Sequence, residues 1–62
     1  MGFGDQLRRY RELNKLTQKQ LAKKSKLSEF QISRLETETH YPGLKTMERL
    51  AKALRVDVKD LL

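Results

Sequence analysis

His40 is the sole histidine and cysteine is absent. The chain therefore lacks the clustered imidazole and thiolate ligands of a zinc site, and it can form no disulfide. Its eight Asp and Glu residues are scattered among fourteen Lys and Arg, where ion pairing on helix surfaces is their ordinary role. No glycine-rich phosphate loop is present. These residues assemble no catalytic constellation and call for no cofactor and no metal, so the expectation is a protein that is not an enzyme. The chemistry on offer is recognition by charge and hydrogen bonding. A net charge of +6 and a pI near 10.0 suit a polyanionic partner. Charge alone does not separate DNA from RNA or anionic lipid, and the same cations also solubilise a surface.

The elements that position these groups follow from length and pattern. A chain of 62 residues makes one domain, 1–62, and one this small buries only about 60% of the surface its unfolded chain exposes. Stability must come from closely packed elements. The apolar runs are too short to span a membrane, and Met1-Gly2-Phe3-Gly4-Asp5 is no secretory signal, so the expected location is cytoplasmic. The pair Leu61-Leu62 ends the chain without a polar tail, which leaves open that it is part of a longer regulator. Helical spacing dominates throughout. Phe3, Leu7, Tyr10 and Leu13 mark a first helix over about 5–14, with Asp5 as its cap. Pro42-Gly43 breaks the pattern into a loop over 37–43. Leu44, Met47, Leu50, Ala51 and Leu54 mark a fourth helix, and Asp57 caps a short fifth. Scattered β-branched residues leave no strand pattern. The fold class is all-α, with a core of Leu7, Leu21, Ala22, Ile32, Leu35, Leu44, Leu50, Leu54, Val56 and Leu61.

Between these lies one helix-start grammar written twice. Thr17 is followed three residues later by Gln20, and Ser28 by Gln31. Each pair forms a capping box, in which the hydroxyl accepts from the third helical amide and the glutamine reaches back to the cap amide. Each is flanked by a hydrophobic staple, Leu16 with Leu21 and Leu27 with Ile32. Two helices thus begin eleven residues apart, with Lys24, Ser25 and Lys26 left for a tight turn. The spacing predicts a helix-turn-helix over about 17–36.

Leu7, Arg11, Leu16-Thr17-Gln18, Leu21-Ala22, Leu27-Ser28, Ile32-Ser33-Arg34-Leu35-Glu36, Pro42, Leu44, Thr46, Ala51-Lys52-Ala53-Leu54, Val56 and Asp60-Leu61-Leu62 resemble the lambda-repressor-like, or Cro/XRE-type, helix-turn-helix domains across nearly the whole chain. The resemblance implies a compact five-helix fold and sequence-specific binding of double-stranded DNA. It further implies a transcriptional repressor acting as a homodimer on a palindromic operator, by excluding polymerase from a promoter. It also implies that Gln18 bonds a phosphate while bracing the recognition helix, and that Arg11 pairs with Glu36 to hold helix 1 to helix 3. The family commonly carries glycine where this chain has Lys26, Glu38 and Arg55. A bulky residue at such a bend is strained if φ is positive.

Helix 3 is the recognition helix expected in the major groove. Ile32 and Leu35 face the core, so Glu29, Phe30, Ser33 and Arg34 point outward. Arg34 carries a planar fork that matches guanine O6 and N7, or else contacts phosphate or a nearby Glu. Glu29 either accepts from cytosine N4 or simply favours the helix dipole. Phe30 either touches a thymine methyl or folds back on helices 2 and 3. Ser28 and Gln31 are within reach of DNA, although the capping box competes for Gln31. Thr37, Thr39, His40 and Tyr41 offer hydroxyls and a ring to the phosphate backbone. Lys19, Lys23, Lys26 and Lys45 add diffuse attraction. Val58, Leu61 and Leu62 are the candidates for dimerisation, because one face of a short final helix cannot bury all three. The competing reading is a protein-interaction module of the same fold, an adaptor or the partner-binding part of an antitoxin; Glu29 and Glu36 favour it locally, whereas Arg34 and the net charge favour DNA.

Overall fold

The computed structural model describes residues 2–37 and 41–62. Among the described residues there are five α-helices and no strand: α1 (Phe3–Leu13), α2 (Gln18–Ser25), α3 (Glu29–Thr37), α4 (Leu44–Leu54) and α5 (Val58–Leu61). Helix α3 packs on α1 and α2, α4 on α2, and α5 closes the far side against α1 and α4. Leu7, Leu21, Ile32, Leu50, Leu54 and Leu61 are fully buried where these helices meet. None of the described helices is long and apolar enough to cross a membrane.

Both capping boxes form. Thr17 Oγ1 accepts from Gln20 N at 3.1 Å while Gln20 Oε1 accepts from Thr17 N at 2.8 Å. Ser28 Oγ and Gln31 do the same at 3.0 and 2.9 Å. Leu16 and Leu27, just ahead of the boxes, rest against the core. Helix α1 begins earlier than its pattern implies: Gly2 takes the cap position, and Asp5 is the third helical residue, accepting from Gly2 N at 3.4 Å. Helix α2 runs through Ser25, which is buried and donates to Leu21 O at 2.7 Å, so Lys24 and Ser25 belong to the helix rather than the turn.

Three helices end in one way. After α1, Lys15 N donates to Glu12 O and Leu16 N to Arg11 O; after α2, Lys26 N donates to Lys23 O and Leu27 N to Ala22 O; after α4, Arg55 N donates to Lys52 O and Val56 N to Ala51 O. This is the Schellman closure, which needs a left-handed residue before the apolar one. Lys15, Lys26 and Arg55 supply it with φ of 57°, 61° and 59°. Family glycine positions 26 and 55 are thus left-handed here without glycine, and Lys15 is a third such site; Glu38 lies outside the described residues.

The core differs from its sequence reading at its edges. Leu44 is 68% exposed, because it opens α4 ahead of the turn that meets its neighbours, and Val56 is only partly buried. Met47, Ala51, Ala53 and Phe3 are buried in addition to the expected residues. Leu13 is exposed too. A three-residue step falls about 60° short of a full helical turn, so two such steps from Leu7 carry Leu13 off the buried stripe.

Candidate nucleic-acid interface

Helix α3 is fixed at both ends. Its start is held by the Ser28–Gln31 box, its inner face by Ile32 and Leu35, and its last turn by Glu36, whose side chain has no solvent exposure. Arg11 grips that carboxylate with both arms of its fork, Nε to Oε2 at 2.6 Å and Nη2 to Oε1 at 3.1 Å, and spends Nη1 on Leu16 O at 2.9 Å. Gln18 Nε2 donates to Glu36 Oε1 at 3.1 Å, and Arg8 Nε reaches the same oxygen at 3.4 Å. One carboxylate thereby joins α1, α2 and α3. Burial pushes the Glu36 carboxyl up, but hydrogen bonds from Arg11 and Gln18, the charge of Arg11 and the bond from Arg8 together hold it below the usual carboxylate range. The bond to Glu36 likewise raises Arg11 above its ordinary value against the opposing pull of burial.

The outer face of α3 presents Glu29, Phe30, Gln31 and Arg34 to solvent, with Ser33 half-buried beside them. Phe30 does not fold back: it is 69% exposed, and the Arg34 guanidinium carbon lies 5.6 Å from the centre of its ring. Thr37 is exposed, and its hydroxyl donates to Ser33 O at 3.0 Å. Ser28 and Gln31 are exposed at the start of the helix while serving the capping box. Tyr41 is exposed but anchored, its ring 5.7 Å from that of buried Phe3 at a tilt of 59°. Thr39 and His40 lie outside the described residues. Gln31, Arg34, Pro42, Gly43 and Thr46 line a shallow hollow between α3 and the start of α4; Thr46 joins this face although the sequence pattern marks it only as a family position.

Two further surfaces are defined. Lys24, Lys26, Arg49, Lys52 and Arg55 surround a hollow at the C-terminal ends of α2 and α4, where cations complement the helix dipoles. At the end of the chain, Val58 is half-buried against the core and Leu62 is 65% exposed, but Leu61 is fully buried. Leu61 is therefore a core residue of its own chain and offers no surface for dimerisation. Among the described residues no three His, Asp or Glu side chains gather as a metal site requires.

Two short helices joined by a three-residue turn, the second anchored inward by apolar groups and a buried carboxylate and presenting polar and aromatic groups outward, make this a helix-turn-helix DNA-binding domain. A helix-turn-helix family model of the Cro/C1 type matches residues 7–61, and the chain belongs to that family. It is 36% identical over 62 residues to the immunity repressor protein of Bacillus phage phi105, covering 100% of this chain and 43% of that one. It is 43% identical over 61 residues to the HTH-type transcriptional repressor RghR of Bacillus subtilis (strain 168), covering 97% of this chain and 45% of that one. The chain thus spans less than half the length of these two repressors. Among solved structures, the restriction-modification controller protein C.AhdI of Aeromonas hydrophila superposes with a TM-score of 0.91 at 30% identity, over 97% of this chain and 91% of that one.

Proposed function

We propose that this domain reads a specific sequence in double-stranded DNA and represses transcription, as a homodimer on a palindromic operator in the cytoplasm. The observation that carries this reading is the outward face of α3: Glu29, Phe30 and Arg34 stand exposed on a helix whose inner face and last turn are fixed. A recognition helix gains from such a scaffold because its side chains meet base edges without first being ordered. Arg34 pairs with guanine, Glu29 accepts from cytosine N4, and Ser33 lies between them. Ser28, Gln31 and Thr37 flank the face, and Tyr41 serves the backbone at its margin. An amide nitrogen carries two hydrogens, so Gln18 can hold Glu36 with one and donate to a phosphate with the other. The naming of two relatives as repressors supports the regulatory part of the proposal. One recognition helix reads only a few base pairs, and a two-fold dimer doubles the site, placing its two helices about 34 Å apart; Val58 and Leu62 are the proposed contact.

Selection from a random duplex pool, followed by titration of the selected site at two salt concentrations, tests the proposal. The expected outcome is a palindromic consensus whose affinity falls steeply with salt as counterions are released. Failure to enrich any sequence, with equal affinity for all duplexes or none, overturns it.

A further inference from the structure

Phe30 and Arg34 are one turn apart on α3, and side chains at this spacing are neighbours on a helix surface. Long helical side chains lean toward the N-terminus. Arg34 therefore leans back over Phe30, where its guanidinium carbon stands 5.6 Å from the ring centre, within the range of a cation–π contact. Phe30 nevertheless remains 69% exposed, so an apolar surface stays open beside the charged fork. Phe30 stands at the start of α3, the end of a recognition helix that contacts base edges, and Arg34 reaches back toward that end from the next turn.

From this we infer that Phe30 and Arg34 act as one reading unit for a pyrimidine C5-methyl stacked beside a guanine. The inference rests on the proposal that α3 enters the major groove. Successive bases on a strand are about 3.4 Å apart. A separation of 5.6 Å between fork and ring exceeds one such step, so with the fork in the plane of guanine O6 and N7 and the ring displaced along the base stack, the ring reaches the neighbouring base pair. A thymine there presents a C5-methyl in the major groove, and cytosine presents none. Methyl and ring are both apolar and their contact excludes water, while the ring's negative face keeps the guanidinium beside it. Phe30 is thus a specificity residue for the methyl and a positioning residue for Arg34. The methyl can come from thymine or from 5-methylcytosine.

The test uses the duplex selected by the intact chain and the variants Phe30→Ala, Phe30→Leu and Phe30→Tyr. Because Phe30 is exposed, helicity and melting should match the parent in all three. Each thymine adjoining a guanine is replaced by deoxyuridine, which deletes only the methyl, and each such guanine by 7-deazaguanine, which deletes the N7 acceptor. The parent should lose about fourfold in affinity at one deoxyuridine, the worth of one buried methyl, and roughly tenfold at the adjacent 7-deazaguanine. Phe30→Ala should abolish the first penalty and shrink the second. Phe30→Leu should keep much of the first and shrink the second, and Phe30→Tyr should restore both. Putting cytosine or 5-methylcytosine in place of that thymine, each paired with guanine, identifies the source: equal gain from both methylated bases means the methyl itself is read, and gain from thymine alone means its base pair is read as well. A selected site with no pyrimidine methyl beside a guanine, or methyl and N7 penalties unchanged in Phe30→Ala, overturns the inference while leaving DNA recognition by α3 intact. Absence of any enriched duplex overturns both.

Discussion

A β-carbon on Gly4 would stand 2.6 Å from the carbonyl oxygen of Glu36 and 2.8 Å from that of Leu35. Gly4 is buried in the first turn of α1, and the atoms it faces are backbone at the end of α3, with no side chain to swing aside. The close approach lets α1 lie against the last turn of the recognition helix, and it keeps Arg8 and Arg11 within reach of the Glu36 carboxylate.

Gly4→Ala should therefore destabilise the domain. Alanine gains about 1 kcal/mol over glycine in helix propensity, but the overlap forces α1 and α3 apart and costs more, in the manner of an overpacked core. A net loss of about 2 kcal/mol is expected from denaturant unfolding. A variant as stable as the parent would show that α1 can shift freely and that the contact imposes nothing.

Glu36 gives the domain a defined response to acid. Its folded-state carboxyl is held below the ordinary value of 4.5. The unfolded chain thus takes up this proton first as pH falls. The stabilisation is fully present above about pH 4.5 and drains away as pH drops through the folded value. Glu36→Gln should remove this part of the acid slope, and the difference between the two stability–pH curves isolates it from the exposed carboxylates. Arg11→Met leaves the buried carboxylate without its main partner, a loss of about 3–5 kcal/mol, and should reverse the sign. Burial then raises the Glu36 pKa, and stability falls as pH rises toward neutrality. Where the variant is too weak to fold alone, an excluded osmolyte such as TMAO brings it into range. Parallel curves for parent and Glu36→Gln would contradict the assignment.

The left-handed residues at the helix ends predict a gain. Lys26→Gly removes a strain of about 1–2 kcal/mol against the extra freedom glycine gives the unfolded chain, for a net stabilisation of about 0.5 kcal/mol. Arg55→Gly should behave alike. Lys23→Gly, inside α2, should instead cost about 1 kcal/mol. Chemical denaturation of the three variants reads these signs, and destabilisation by Lys26→Gly would contradict the left-handed geometry.

How far such features can be read in the residues depends on how local their causes are. The capping boxes at Thr17 and Ser28 close within three residues, so both starts, and with them the helix-turn-helix, are visible in the bare pattern. The inward direction of Ile32 and Leu35 follows from helical period. The left-handed closure that follows α1 at Lys15 is hidden because no glycine marks it, although a shared signal exists: Lys15-Leu16, Lys26-Leu27 and Arg55-Val56 each place a cation at the left-handed position and an apolar residue after it. Leu13 and Leu44 have core-like identities, but Leu13 has drifted off the buried stripe of α1 and Leu44 opens α4 ahead of its first buried residue, Met47. Gly4 is the least legible. Its necessity comes from a carbonyl thirty-two residues away, and nothing in its own neighbourhood records that contact.

Leu61 and Leu62 are adjacent and identical in chemistry, yet the structure separates them completely: Leu61 has no exposure and Leu62 is 65% exposed. A polar substitution should therefore have opposite consequences at the two positions. Leu61→Asp places an unpaired charge in the apolar core where α5 closes on α1 and α4, and should cost several kcal/mol, close to the whole stability of so small a domain. Leu62→Asp leaves the fold and its melting unchanged, because the side chain already meets water. If Leu62 and the exposed part of Val58 form the proposed homodimer contact, Leu62→Asp should still bind one half-site but lose cooperative loading of the full palindrome, and two like charges brought together across a two-fold axis make the loss larger than Leu62→Ala would. Gel-shift titration on half and full sites, beside sedimentation of the free protein, separates binding from pairing. Cooperative loading that survives Leu62→Asp and Val58→Asp together would move the interface to another surface, and the exposed ring of Tyr41, seated on Phe3, is the next to test.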